Sequence, residues 1–387
     1  MEIQSSQRQS NFELLRVLAV IMVIIHHITL HTIFDQLTNV DSINTLGNAY
    51  FCNPVFYPQL WLIDIGSFFG SVANCLFILL AGFFLVSKEN VSISRTSSKL
   101  IFQSLFAAVV ITIVNCVYHV SGLSDDDIFL AGREEVFGQV RLEFFNESFW
   151  YIGFYFAVFA FGVVFLNGFL QKLSQKQYAE FLLVVFAIIE FSFTRQLLKS
   201  ISGYLVTFLT GVFLYSSGGY IRKYDPLKII KTILLVVLIG ISLVCACFSA
   251  YYCRMLDIEK YFRTYNGGDY IQQTYTYGLH NFLVIANVVL LFELFKRIKL
   301  KHSKTLNFLG AATFMTYLIH DNELFYTLWY KYDWIKALYI NPVEFVCNIF
   351  TISLLTYGLG VLMYSIYKAL SFVFYNLLSK SLLNNRE

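Results

Sequence analysis

The chain has 387 residues, of which 57% are hydrophobic and 14% charged, whereas a soluble domain carries about a quarter charged residues. A soluble fold has too little interior to hide that much apolar side chain, so a soluble globular class is excluded. The net charge of +3 resides in short basic runs beside apolar stretches. That pattern suits anionic lipid headgroups rather than nucleic acid.

In chain order, eight stretches lack Asp, Glu, Lys and Arg: residues 17–34, 65–87, 100–124, 148–171, 200–221, 232–253, 270–292 and 345–367. Each is long enough to cross the hydrocarbon core as a helix, which takes about 20 residues. Two weaker candidates are Tyr178 to Thr194, interrupted by Glu180 and Glu190, and Thr305 to His320. The basic residues arbitrate, because short cytoplasmic loops carry an excess of Lys and Arg. With all ten helices accepted and the N-terminus inside, the cytoplasmic segments hold twice as many Lys and Arg residues as the outer ones. Removing only the fifth helix would put the basic runs at 172–176 and 222–231 on opposite sides. The expected fold class is therefore an all-α integral membrane protein of about ten transmembrane helices with both termini cytoplasmic. One membrane domain fills residues 1–387, and the polar start of the chain with no cleavage site predicts that the first helix stays in the membrane.

The longest polar segments fall outside: 35–63 with Pro54 and Pro58, the acidic 121–147 with Asp125, Asp126 and Asp127, and the tyrosine-rich 254–276. The Asp run reads as a solvated loop, or as part of a mouth for an extracellular acceptor. The seven Cys residues are scattered without CxxC or His/Cys ligand spacing, so they read as buried small hydrophobes and no metal site is expected. Cys52 and Cys253 alone fall at the outer side, where a disulfide is conceivable.

The first helix, NFELLRVLAVIMVIIHHITLH, carries Glu13, Arg16, His26, His27 and His31. Ionisable side chains inside a span are costly and mark functional candidates that face a cavity or the bundle interior. Eleven residues at about 100° each return to nearly the same azimuth, so Arg16 and His27 share a face about 16 Å apart along the axis. His31 follows His27 by four residues on nearly the same stripe, and His26 points away. A fixed cation near the cytoplasmic mouth and a titratable imidazole deeper in suit an anionic reactant and a proton transfer. The structural alternative is an Arg16 that snorkels to the headgroups and histidines that bond neighbouring helices.

An arginine followed eleven positions later by a histidine, in a first helix opening on an N-x-E-L-L-R phrase, resembles the membrane-bound acyltransferase 3 family. Four further phrases agree in order: ANCLFILLAGFFL (Ala73 to Leu85), SFWYIGFYFAVFAFGVVFLNGFLQKLSQKQY (Ser148 to Tyr178), GGYIRKY (Gly218 to Tyr224) and FLGAATFMTYLIH (Phe308 to His320). Ala81 stands where the family often has Ser, and Ser148 where many members have His, so neither position is assigned a role. The resemblance covers nearly the whole chain and implies about ten helices in a bacterial cytoplasmic membrane. It also implies an O-acyltransferase moving an acyl group, most simply acetyl, from cytoplasmic acyl-CoA (acetyl-CoA) to a hydroxyl of a surface polysaccharide or its lipid-linked precursor. No resident cofactor is implied, and membrane lipids, acyl-CoA and the glycan are the partners. Members with an appended extracellular hydrolase-like domain differ from this chain, so the membrane domain or a separate partner is expected to complete transfer.

In that reading Arg16 binds donor phosphate, as guanidinium suits phosphate, and His27 is general base or transient acyl carrier. Glu13 orients Arg16. His31, Tyr317 and His320 are further site candidates, with packing or interfacial anchoring as their alternative. Trp150 is expected to be an anchor, and Asn74 and Asn167 interhelical hydrogen-bond partners. Two other functions compete: a transporter or flippase of a polar or lipid-linked metabolite, and a non-catalytic subunit of a polysaccharide assembly system. No matching pair of broken spans supports the transporter.

Overall fold

The computed structural model describes residues 9–38, 57–88, 91–122, 150–190, 202–263 and 277–384. Among them every regular element is helical. The first helix α1 (Ser10–Ile28) continues through a π-helical turn (Thr29–Ile33) into Phe34–Thr38. It is followed by α2 (Trp61–Leu85), α3 (Ile93–Val120) and α4 (Trp150–Phe161), which runs through a second π turn (Gly162–Leu166) to Asn167–Lys172. Next come α5 (Gln175–Glu190), α6 (Ser202–Tyr224), α7 (Thr232–Arg263), α8 (Phe282–Arg297) and α9 (Lys304–His320). Two short helices, α10 (Glu323–Tyr330) and α11 (Trp334–Ile340), precede α12 (Pro342–Asn384).

Each of the ten expected stretches holds a helix, and seven of these are long and apolar enough to cross a membrane. The other three, α5, α8 and α9, have 16, 16 and 17 residues, which at 1.5 Å per residue is about 24–26 Å against a hydrocarbon core of about 30 Å. The expected stretch 270–292 is displaced, because the helix there starts only after Asn281, whose side chain caps Leu283 N, and ends at Arg297. Absence of charge marks where a helix is permitted; the cap marks where it begins. The short α10 and α11 lie between the last two expected spans, in a stretch for which the sequence predicts no helix. Asn322 starts α10 by accepting from Phe325 N, and Asp333 starts α11 by accepting from Lys336 N. Cys52 and the Asp125 to Asp127 run lie outside the described residues.

The bundle's order is readable from its hydrogen bonds. At one end, Asn11 Nδ2 donates to Phe295 O (2.9 Å), Ser303 N to Ser10 Oγ (2.9 Å), Gln171 Nε2 to Val86 O (2.6 Å) and Lys223 Nζ to Leu173 O (2.7 Å). Arg297 completes this end by donating to the carbonyls of Leu227 and Ile230. The start of α1 thus lies at the same end as the ends of α2, α4, α6 and α8 and the start of α9. The basic runs at 88–99, 172–176, 222–231 and 296–304, which the sequence assigned to a common side, lie at this end. At the other end Arg254 of α7 grips Asp64 of α2 through two bonds of 2.8 and 2.7 Å, both side chains fully buried. Neither charge could stay there without the other.

The centre belongs to α1 and α2. Close packing fixes their register: a Cβ on Gly66 would fall 2.3 Å from Thr29 Oγ1, and one on Gly70 would fall 2.3 Å from His26 Cγ. The two glycines let the Thr29 and His26 side chains lie directly against the α2 backbone, as small residues do at helix contacts in membranes, and antiparallel packing here pairs a step of four along α2 with a step of three back along α1.

Candidate functional site

Helix α1 lays Glu13, Arg16 and His27 along the inside of the bundle. Arg16 Nη1 donates to Glu13 Oε1 one turn back, and Glu13 is 2% exposed. The guanidinium lies 5.8 Å over the Phe84 ring, and that of Arg222 lies 5.1 Å over Phe83. Each planar cation is held by an aromatic face and keeps N–H edges for an anion.

These groups sit at the mouth of a cavity of about 660 Å³. Lys88 and Lys99 join Arg16 and Arg222 around it, so four cations stand against Glu13. Inward the wall becomes apolar, with Val20, Val23, Phe77, Leu80 and Phe314, and the deep part is bounded by Asn74, Tyr151 and Tyr317. The size falls within the range of small-molecule sites, and a mostly apolar wall with few polar groups is their usual chemistry.

Beyond Tyr317 lies His27, its ring 6.2 Å from that of the tyrosine and 9% exposed. His27 Nδ1 is 3.1 Å from His320 Nε2 and 3.4 Å from Asp321 Oδ1. The proton positions follow from a carbonyl. His320 Nδ1 lies 2.7 Å from Thr316 O, and a carbonyl only accepts, so Nδ1 of His320 carries hydrogen. In the neutral ring Nε2 of His320 then accepts, and His27 Nδ1 is the donor; Asp321, a carboxylate acceptor, asks the same of it. That leaves the lone pair of His27 on Nε2, the state a general base requires. Asp321 is itself held by Tyr326, whose hydroxyl donates to Oδ1. His31 closes the cluster by stacking on Tyr326 at 4.4 Å and 12°.

The structure therefore brings together Arg16 with Glu13, and His27 with His31, Tyr317 and His320. His31 reaches its place by a route the sequence did not anticipate, since it stands in the π turn and no longer follows an ideal 100° step. His26 points elsewhere, into a water-sized recess with Thr29, Ile63, Asp64 and Ser67. Sequence reasoning missed Asp321, Tyr151 and Arg222. Asp321 had one usable signal, an acidic residue directly after a candidate histidine at the end of an apolar stretch.

An all-helical, multi-pass membrane protein with a cation-rimmed cavity leading toward a buried histidine is defined by these features. The family model described as an acyltransferase domain matches residues 9–365, and the chain belongs to that acyltransferase 3 family. No curated protein and no solved structure gives a match.

Proposed function

We propose that the protein moves an acyl group, most simply acetyl, from cytoplasmic acyl-CoA to a hydroxyl of a cell-surface polysaccharide or its lipid-linked precursor. It does so from a bacterial cytoplasmic membrane that it crosses ten times, with both termini inside. The observation that carries this reading is the cavity: cations at its mouth, an apolar middle, and the His27 cluster past its deep end. Coenzyme A has that order of chemistry, with phosphates at one end, a slender arm, and the thioester at the far end. Arg16, oriented by Glu13, and Arg222 meet the phosphates. The three short helices α5, α8 and α9 cross with their flanking residues.

His27 then works on the acceptor. Its Nε2 takes the proton as the acceptor oxygen bonds to the thioester carbon; the carbon–sulfur bond breaks, and the proton passes to the departing thiolate. His320 and Asp321 hold the Nδ1–H side and stabilise the imidazolium formed midway, the role a second acceptor plays beside any catalytic histidine.

Two measurements test this. Surface polysaccharide from cells lacking the gene should lose a mass increment such as acetyl, restored by the wild-type chain. Arg16→Ala should weaken acetyl-CoA binding to the protein in nanodiscs by about tenfold or more, the scale of a lost charged hydrogen bond. An unchanged glycan together with metabolite counterflow in proteoliposomes without acyl donor would move the assignment to the transporter class.

A further inference from the structure

Asn167 and Asn74 both lie inside the bundle, and the bundle uses them differently. Asn167 behaves as an interhelical link: Nδ2 donates to Leu85 O at 3.1 Å, and Oδ1 accepts from Tyr215 Oη at 2.9 Å. Asn74 does not. It is 8% exposed, Oδ1 is buried without a hydrogen-bond partner, and Nδ2, the donor side of the amide, gives its hydrogens to no group among the described residues. The bond formed at this residue is to its backbone, whose carbonyl accepts from Tyr151 Oη at 2.8 Å. A buried amide that finds no partner costs stability, and in a native protein it calls for an explanation such as a ligand. A leucine at this point of the helix would carry no such cost.

Location supplies the explanation. Asn74 lines the deep part of the cavity beside Tyr151 and Tyr317. The register set by Gly66 against Thr29 and Gly70 against His26 puts Asn74, one turn on, level with Met22 and Val23 of α1. His27 is four residues further, about 6 Å along the axis, and helical side chains lean toward the N-terminus, here toward Asn74. Across that offset an acceptor hydroxyl lies within hydrogen-bond reach of His27 Nε2, with the carbonyl it attacks beside it. The carbonyl oxygen then falls on the Asn74 side.

Building on the acyl-transfer reading above, we propose that Asn74 is a further catalytic residue, whose side-chain N–H donates to the thioester carbonyl oxygen and stabilises the negative charge that gathers there. When the acceptor oxygen bonds to the carbonyl carbon, the π pair moves onto that oxygen. It returns as the carbon–sulfur bond breaks, and the proton held by His27 goes to the sulfur. Tyr151 fixes the backbone from which the amide reaches, so the donor is in place before charge develops.

The test uses membrane vesicles carrying the full chain and the cells' own surface glycan, with labelled acetyl-CoA at varied concentration. Asn74→Leu and the smaller Asn74→Ala should each lower kcat by about 10²-fold, the scale of one lost oxyanion donor. KM should stay near wild type. Inhibition by S-ethyl-coenzyme A, which lacks the thioester carbonyl, should be unaffected. Thermal stability of Asn74→Leu without donor should equal or exceed wild type, because an orphan amide has gone. An undiminished kcat overturns the inference. So does a loss accompanied by lower stability in both variants, or by equally weaker inhibition by S-ethyl-coenzyme A, since either marks a structural or general binding role. A wild-type chain that neither binds acetyl-CoA nor transfers its acetyl group overturns the acyl-transfer reading itself, which separates the two failures.

Discussion

The centre and the rim of this bundle are built from similar apolar residues, yet they meet different demands. In the spans of α1 and α2, 61% and 78% of the apolar window is buried, against 22% in α7. Lipid asks only that the outer face of α7 be apolar, and Val244, Phe248 and Ile241 satisfy it. Helix-on-helix contact asks for shape and for paired polar groups. The chemistry-bearing side chains accordingly gather at the centre: Glu13, Arg16 and His27 on α1, Asn74 on α2, His320 at the end of α9. Even on α7 the polar residues turn inward, with Arg254 on Asp64 and Ser242 on Asn287.

Substitutions graded from centre to rim sharpen that contrast. His27→Ala should have the largest effect, a fall in acyl transfer of about 10²–10⁴-fold, the usual share of a general base. The reading is followed as acetyl content of surface glycan at equal membrane abundance, and normal transfer would remove His27 from the mechanism. Asp321→Asn keeps the shape and removes the charge beside His27 Nδ1, while His320 still accepts. A loss of about tenfold is expected, the difference between a charged and a neutral hydrogen bond. A loss as deep as that of His27→Ala would show that Asp321, rather than His320, sets the tautomer. His26→Ala should cost no more than a few-fold, since this ring faces the separate recess against Asp64 and Ser67. Parity with His27→Ala would erase the distinction between the neighbours. Val244→Ala, at a position 67% exposed on α7, should leave transfer unchanged and stability within about 0.5 kcal/mol, as surface substitutions usually do. A clear fall in melting temperature would reveal a protein partner where lipid is expected.

Much of this was legible in the order of residues. Eleven-residue spacing placed Arg16 and His27 on one stripe, and the structure puts one at the cavity mouth and the other past its deep end. Runs without charge found every long helix, because a lipid-facing element has to be apolar over its whole length. The pairing of His27 with His320 was out of reach: the two are 293 positions apart, and only the lie of α9 against α1 joins them. Asn74 and Asn167 looked alike as lone amides in apolar runs, and only their neighbours separate them. The start of α8 and the existence of α10 and α11 depend on single capping side chains, Asn281, Asn322 and Asp333, signals that a count of apolar residues passes over.

The π turn at Thr29–Ile33 has a further consequence for variation in chain length. Such a turn accommodates one residue more than an α-helix would, so it works as a stored insertion between His27 and the outer end of the helix. Gln36, beyond it, donates from Nε2 to Tyr330 O and Tyr332 O, and its Oε1 accepts from Trp334 N. Removing one residue from the turn would restore a regular helix and rotate Gln36 by about 100° away from those partners, while Arg16 and His27 kept their stripe. The inner half of α1 and its outer anchor can therefore be adjusted separately, and one residue of length is the unit of adjustment.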